Sequence, residues 1–154
     1  MLIILAKLKK SIIFVILNKK ILTMKDYFKL VKNYLLDSDI QIDSEDETDE
    51  IFVVSKAEAG ISNLVIGCAY PILILEQHIL EIQNPTTEIL KKLLMKNREI
   101  ISGAFVLDES GRNVIFRKTL EIENLDFNEI YGVFNSLSML LSEYSAELIQ
   151  FSKS

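Results

Sequence analysis

The stretch at residues 103–120, GAFVLDESGRNVIFRKTL, decides the fold because two apolar runs flank a short polar segment. Apolar residues such as Phe105 and Phe116 recur at every second position, which is the spacing of a half-buried strand. Gly111 can adopt the left-handed conformation that closes a hairpin loop, and the Asp108 side chain can cap the turn. A phosphate-binding loop would need several glycines leading into a helix, and here a strand follows. The stretch therefore predicts a β-hairpin without a ligand of its own.

The composition is that of one globular domain. The chain has 154 residues, of which 49% are hydrophobic and 25% are charged, a balance that allows a substantial core. Cys68 is the only cysteine, so the chain can form no intramolecular disulfide, and no Cys/His cluster is available for zinc. We therefore expect no metal and no cofactor, and a cytoplasmic protein is the default expectation.

The charge is distributed unevenly along the chain. Residues 1–23 contain five lysines and no acidic residue, whereas the chain from Met24 onward has 12 basic and 22 acidic residues, a net charge of −10. An acidic body repels the phosphate backbone of nucleic acids. We therefore expect no nucleic-acid partner.

Residues 1–23 form a basic and apolar extension that is unlike the rest of the chain. Lysines interrupt the apolar run too early for a membrane-spanning helix, and the segment lacks the order of charges and the cleavage site of a signal peptide. Three interpretations stay open. Translation could start at Met24, which we favour; the segment could form a basic helix on an anionic membrane surface; or it could pack as an extra helix. The predicted domain comprises residues 24–154, and membrane contact is expected only if residues 1–23 are present.

The first half of the domain reads as one helix followed by strands. Apolar residues at helical spacing predict a helix over residues 25–36. Residues 37–50 are mostly acidic, but they lack the central glycine of a calcium loop, so we predict a solvated connector with a short strand around residues 40–42. Three runs rich in Ile, Val and Leu follow, and their short connections require antiparallel pairing. These predicted strands are residues 51–55, 61–70 and 72–82.

The second half adds two helices around the hairpin. Asn84 and Pro85 predict a helix start, with Asn84 as the N-cap and with Leu90 and Leu94 among the residues of its buried face. Asp126 has capping-box spacing and predicts the start of a long final helix. The predicted fold class is therefore α+β, an antiparallel sheet of about five strands with helices packed on one face, in the order α-β-β-β-α-β-β-α.

The segment LLMKNREIISGAFVLDESGRNVIFRKTL (93–120) resembles the hallmark of the YbjN-like family, which has the fold of type III secretion chaperones. Six residues occupy matching positions, and EAGISNLVIGCAYPILILEQ and NSLSMLLSEYSAELIQFSK are similar to bacterial members labelled Tir-type molecular chaperones. The resemblance implies a small homodimer that binds protein segments along apolar surface of its sheet and helices, without catalytic residues. Asn97 is expected to cap or bridge the helix–strand junction. The matching residues are Asn97, Gly103, Phe105, Leu107, Asp108 and Gly111.

The residues with chemical potential favour structural roles. His78 is the only histidine and shares a predicted strand face with Glu76, but it has no evident nucleophile or metal partner. The sequence therefore argues against a small hydrolase that uses His78 and a carboxylate. Cys68 lies in an apolar strand and is interpreted as a small buried residue. We therefore expect no catalytic residues.

The central strands are apolar without alternation, which indicates that both faces of the sheet are covered, one by helices and the other by a partner. The expected function is a non-enzymatic, chaperone-like protein-binding module that acts as a homodimer. The alternative is a regulatory protein held at the inner membrane by residues 1–23. The residues predicted to bind a partner are Phe52, Val54, Leu64, Ile66, Leu73 and Leu75.

Overall fold

The computed structural model describes residues 27–153, which fold as one antiparallel sheet with three α-helices and a short 3-10 turn. The sheet has six strands in the order β1-β2-β3-β4-β6-β5. The predicted α+β class is confirmed, with six strands where about five were expected. Predictions for residues 1–23 lie outside the described residues. The elements are α1 (27–37), β1 (Gln41–Asp46), β2 (Ile51–Lys56), the 3-10 turn (Ala57–Ala59), β3 (Ile61–Ala69), β4 (Ile72–Glu81), α2 (Thr87–Lys96), β5 (Ala104–Leu107), β6 (Asn113–Glu121) and α3 (Phe127–Ser152).

Helix α1 packs one apolar stripe onto the sheet. Phe28, Val31 and Leu35 recur at helical spacing and are buried. The ring of Phe28 stacks on that of Phe52 in β2, with ring centroids 4.1 Å apart. This contact fixes α1 across the same face of the sheet that α3 covers.

The acidic connector contains a complete strand, which is longer than the sequence predicted. Strand β1 pairs antiparallel with β2, with Ile42 opposite Val54. The Asp46 carboxylate accepts hydrogen bonds from the backbone N–H groups of Thr48 and Asp49 and so closes the turn. Because β1 is an edge strand with solvent beside it, its acidic side chains stay hydrated and leave no apolar pattern to detect.

Helix α2 begins later than predicted. Its N-cap is Thr86, whose Oγ1 accepts a hydrogen bond from the backbone N–H of Ile89. Asn84 and Pro85 precede the cap in the connection from β4. A threonine two residues downstream thus supplies the acceptor that was assigned to Asn84.

The hairpin that joins β5 and β6 is confirmed. Phe105 lies opposite Phe116, and Gly111 has a left-handed backbone with φ of 70°. The Asp108 carboxylate accepts hydrogen bonds from the Ser110 hydroxyl and from the Asn113 side chain and backbone. These donors hold the pKa of Asp108 at about 2, with the Asn113 side chain as the largest cause. The polar groups of the turn therefore form hydrogen bonds with one another, which is the arrangement of a structural turn.

Helix α3 has the predicted capping box. The Asp126 carboxylate accepts from the backbone N–H of Glu129, and the Glu129 carboxylate accepts from the backbone N–H of Asp126. One apolar stripe runs along the helix and is mostly buried, whereas Phe127 and Leu141 are only half-buried. The buried members of the stripe are Ile130, Val133, Phe134, Leu137, Leu140, Tyr144, Leu148 and Phe151.

Candidate functional site

The sheet has two faces with different environments. Residues directly opposite one another on neighbouring strands share a face, so the strand register assigns each side chain. Phe52, Ile66 and Leu75 form one cross-strand row, and this row lies on the side where α1 and α3 pack. We call this side the helix-covered face.

The six predicted partner-binding residues all belong to the helix-covered face. The structure brings them together on β2, β3 and β4, but each is 0% exposed and part of the core. A partner cannot reach these side chains while the helices are in place. Sequence reasoning therefore selected residues that the structure buries beneath the helices, because runs that are apolar on both faces give no sign of which face the helices cover. The six are Phe52, Val54, Leu64, Ile66, Leu73 and Leu75.

The opposite side, which we call the open face, carries a second apolar surface. One cross-strand row joins Val53, Val65 and Glu76 with residues of β6 and β5, and a second row joins Ile51 with Ile74. Val65 is 41% exposed and Ile72 is 36% exposed, which is unusual for such side chains near the middle of a sheet. The apolar members of the open face are Ile51, Val53, Val65, Ile72, Ile74, Val106 and Ile115.

One ion pair crosses the open face. Arg117 of β6 donates to the carboxylate of Glu76 on the neighbouring β4, and both side chains are more than one third exposed. The sequence placed Glu76 beside His78 on this face, but the structure pairs Glu76 with Arg117. His78 contacts Asn113, with its Nε2 3.1 Å from Asn113 Oδ1. His78 is thus exposed and without a nucleophile among its described contacts.

Cys68 has the environment of a buried structural residue. It lies on the helix-covered face of β3 opposite Leu73. Burial, with a smaller contribution from Glu50, raises the pKa of its thiol to about 12. The thiolate that nucleophilic chemistry needs is therefore scarce at neutral pH.

A second apolar surface lies where α2 meets the edge strand β5. A groove of about 290 Å³ separates the two elements, and we call it the α2–β5 groove. Leu94 lines this groove and is 68% exposed, so it does not belong to the buried face as predicted. In the sequence, the sign of this surface is the apolar run LLM at residues 93–95, because three consecutive residues of a helix cannot all lie on one buried face. The groove is lined by Leu90, Leu93, Leu94, Phe105, Val106 and Leu107.

Asn97 bridges the end of α2 to β5, as the resemblance implied. Its Nδ2 donates to the carbonyl of Phe105 at 3.2 Å, and its Oδ1 accepts from the N–H of Phe105 at 2.8 Å. One side chain thus satisfies both backbone groups of Phe105, as a neighbouring strand would. A partner at this point must therefore pack through side chains, since the edge is already hydrogen-bonded there.

The α2 end of the molecule also contains a polar cluster. Lys96 Nζ lies 2.5 Å from Glu147 Oε2 and 4.1 Å from the ring centre of Tyr144. The Tyr144 hydroxyl donates to Glu99 at 2.7 Å, and this bond, with the nearby acidic groups, raises the tyrosine pKa to about 12. The ion pair of Lys96 with Glu147 joins α2 to α3.

Residues 27–153 contain neither a cluster suited to a metal ion nor a helix suited to a membrane. In that part of the chain, no three His, Cys, Asp or Glu side chains are grouped to hold a metal ion. Over the same residues, no helix combines the length and the apolar character needed to cross a bilayer.

Comparisons with known proteins support the resemblance seen in the sequence. The sequence model of the CesT_Tir_1 family matches residues 24–154. Among solved structures, the HopA1–SchA chaperone–effector complex is similar at 12% identity and a TM-score of 0.60, covering 86% of this chain and 98% of that chain. YbjN from E. coli is similar at 11% identity and a TM-score of 0.60, covering 78% of this chain and 92% of that chain. No curated protein sequence matches. At these identities the structures establish a shared fold.

Proposed function

Because the chain belongs to the CesT_Tir_1 family, a family of type III chaperones, we propose that it is a non-enzymatic protein-binding module that acts as a homodimer. Family membership supports a chaperone-like role. The observation that carries the proposal is the open face, where apolar side chains from five strands lie on the side of the sheet opposite α1 and α3.

The open face is the surface that we assign to the protein partner. Its apolar side chains offer burial, which drives association, and the Glu76–Arg117 pair supplies both signs of charge within it. A partner segment with several apolar side chains and a charged group would match this surface. The helix-covered face, which contains the six residues first predicted, belongs to the hydrophobic core on the other side of the sheet.

Substituting one open-face residue tests this assignment. Val65→Asp places a charge in the centre of the open face, and because Val65 is 41% exposed the fold should tolerate it. We expect the proteins that bind the wild-type chain in extracts of its native cell to be depleted at least tenfold. Quantitative mass spectrometry of the captured proteins measures this loss.

The matched control for Val65→Asp is Ser145→Asp on the exposed side of α3, which adds the same charge away from the open face. This control should retain the bound proteins. If Val65→Asp captured them as fully as Ser145→Asp does, the open face would not be the partner surface.

We place the homodimer contact at the α2–β5 groove and its rim. A two-fold contact uses the same patch on both copies, so exposed apolar residues such as Leu94 and Leu107 would each be buried twice. The other sheet edge, β1, has an acidic sequence that repels a second copy of itself. Because Asn97 holds the β5 edge, the copies would meet through side chains of α2 and not through strand pairing.

Leu94→Asp tests the location of this contact. The substitution occurs on both copies, so two desolvated charges would enter the interface, and we expect the dimer dissociation constant to rise at least about 100-fold. Sedimentation equilibrium measures the constant. Leu36→Asp is the matched control, because Leu36 is a similarly exposed leucine on α1. A dimer weakened equally by both substitutions, or by neither, would contradict the location.

The remaining assignments follow from charge and from the chemistry of the described side chains. We propose a cytoplasmic protein without a nucleic-acid partner, because the chain from Met24 onward has a net charge of −10. We propose no enzymatic activity, because His78 contacts an amide and the Cys68 thiol has a raised pKa. Contact with the membrane would depend on residues 1–23.

A further inference from the structure

The open face combines its apolar side chains with an excess of acidic ones. The apolar centre lies on β2, β3 and β4, and acidic residues lie on both sides of it, on β1 and on β4 and β6. Glu76 and Glu81 form ion pairs with Arg117 and Arg112. The other acidic residues of this face have no ion-pair partner among the described residues. They are Asp43, whose carboxylate accepts from the open-face Ser55 hydroxyl, Asp46 opposite Ile51, and Glu121 opposite Ile72.

A shallow trough lies in the middle of the open face, between these charges. Gly67 and Ala69 are the open-face residues of β3 here, and a Cβ added at Gly67 would meet no atom within 4 Å. Ile51 and Ile74 lie directly opposite Gly67 on the two neighbouring strands and flank the gap. We call it the Gly67 trough, and it lies between the acidic residues of β1 and Glu121 of β6.

The backbone hydrogen bonds of the sheet determine which conformation a bound segment can have on this face. β2, β3, β4 and β6 each pair with a strand on both sides, so their backbone N–H and C=O groups are used within the sheet. An extended segment across the face would bury its own backbone groups against apolar side chains without partners. An α-helix satisfies these groups internally and presents only side chains. A helix is therefore the form in which a partner segment can cover this face.

The positions of the charges set the length and the composition of that helix. β1 and β6 are separated by four strand spacings, or about 19 Å, and a helix of about 14 residues spans about 21 Å. Its apolar stripe would pack on side chains such as Val65 and Ile74. Basic residues near its two ends would then lie beside Asp46 and Glu121.

The same charges disfavour two other occupants of the open face. A second copy would place its own acidic residues against those of the first copy, and an anionic membrane surface would repel them. A basic protein segment is the occupant whose charge is complementary to the face.

We propose that the open face binds a cationic amphipathic helix of the protein partner, with the apolar stripe of the helix over the Gly67 trough and with lysine or arginine residues beside Asp46 and Glu121. This inference rests on the proposed function for the location of the partner surface. It adds the conformation and the charge of the segment that binds there.

Three synthetic peptides of about 14 residues test the conformation and the charge of the bound segment. The first has equal numbers of leucine and lysine with the leucines at helical spacing, the second has the same composition with leucine and lysine alternating as in a strand, and the third has the helical spacing with glutamate in place of lysine. Fluorescence anisotropy of each labelled peptide, titrated with the full chain, gives its dissociation constant. We expect the first peptide to bind at least about tenfold more tightly than either of the others. Equal affinities for the three peptides would overturn the proposal.

Two substitutions test whether the first peptide binds at the proposed position. Gly67→Arg places a cation in the trough, and the fold should tolerate it because Gly67 has no left-handed backbone and the space beside it is open. Glu121→Lys reverses one of the unpaired charges. We expect the dissociation constant of the first peptide to rise at least about tenfold with Gly67→Arg and about fivefold with Glu121→Lys.

The matched controls lie on the exposed side of α3. Ser145→Arg changes the net charge as Gly67→Arg does, and Glu143→Lys changes it as Glu121→Lys does. Both controls should leave the dissociation constant of the first peptide within about twofold of the wild-type value. If each control weakened binding as much as its open-face counterpart, the peptide would be following the net charge alone, and the proposal would be wrong.

The capture experiment with Val65→Asp separates this inference from the proposed function. If Val65→Asp lost the captured proteins while the three peptides bound equally, the open face would stay the partner surface and only the helix would be overturned. If Val65→Asp retained the captured proteins, both would be overturned. A dimer that Gly67→Arg dissociates would assign the face to a second copy, and binding to vesicles of anionic phospholipid that Val65→Asp abolishes would assign it to a membrane. Either result would also overturn the proposal.

Discussion

Replacing Phe52 with alanine should lower the free energy of unfolding by about 3–5 kcal/mol, the usual cost of deleting a buried aromatic side chain. Phe52 is 0% exposed and stacks on Phe28 of α1, so its loss leaves a cavity between the sheet and the helix. Chemical denaturation in urea measures the change. Phe52→Leu, which fills part of the same space, should cost distinctly less and keeps the measurement possible if the alanine variant does not fold.

The matched control is Val53→Ala, the next residue along β2 but on the open face. It should cost about 1 kcal/mol or less, because the Val53 side chain is only half-buried and the space it leaves is open to solvent. A Phe52→Ala variant with nearly unchanged stability and impaired partner binding would indicate that Phe52 contacts the partner. That result would contradict the assignment of the two faces.

Replacing Gly103 with alanine should cost about 2–5 kcal/mol of folding stability. Gly103 has φ of 96°, a backbone conformation that L-residues rarely adopt, and this alone costs about 1–2 kcal/mol. An added Cβ would also overlap the ring of Phe116, which is completely buried. Forcing such a ring to move in a packed core costs about 1–3 kcal/mol more.

Gly111→Ala separates these two contributions. Gly111 also has a positive φ, of 70°, but a Cβ there meets no atom within 4 Å. Its substitution should therefore show the backbone cost alone, and thermal or urea unfolding of the two variants gives the difference. Equal losses for Gly103→Ala and Gly111→Ala would mean that Phe116 moves aside without cost.

Much of the fold could be predicted because local chemistry agreed with the final packing. The hairpin turn around Asp108 and the capping box at Asp126 depend on hydrogen bonds between near neighbours in sequence. Strand β1 was underestimated because an edge strand can remain charged on both faces. The helix start at Asn84 was misplaced because Thr86 offered a competing cap two residues later.

The candidate site was harder to predict because it depends on which face the helices cover. Phe52 and Val53 are neighbours in an apolar run, and only the tertiary arrangement buries one and leaves the other partly accessible. Likewise, Leu93 and Leu94 are adjacent on α2, yet Leu93 is buried and Leu94 is exposed beside the α2–β5 groove. Sequence periodicity identifies the strands and helices, but it assigns a face only where polar residues alternate with apolar ones.

The most direct test of the proposed homodimer is the mass of the wild-type chain in solution. Multi-angle light scattering on a size-exclusion column, at tens of micromolar protein, should give twice the mass of a single chain, which is 17.6 kDa for the 154 residues. A mass that stays at that of a single chain across this concentration range would contradict the homodimer and the contact assigned to the α2–β5 groove.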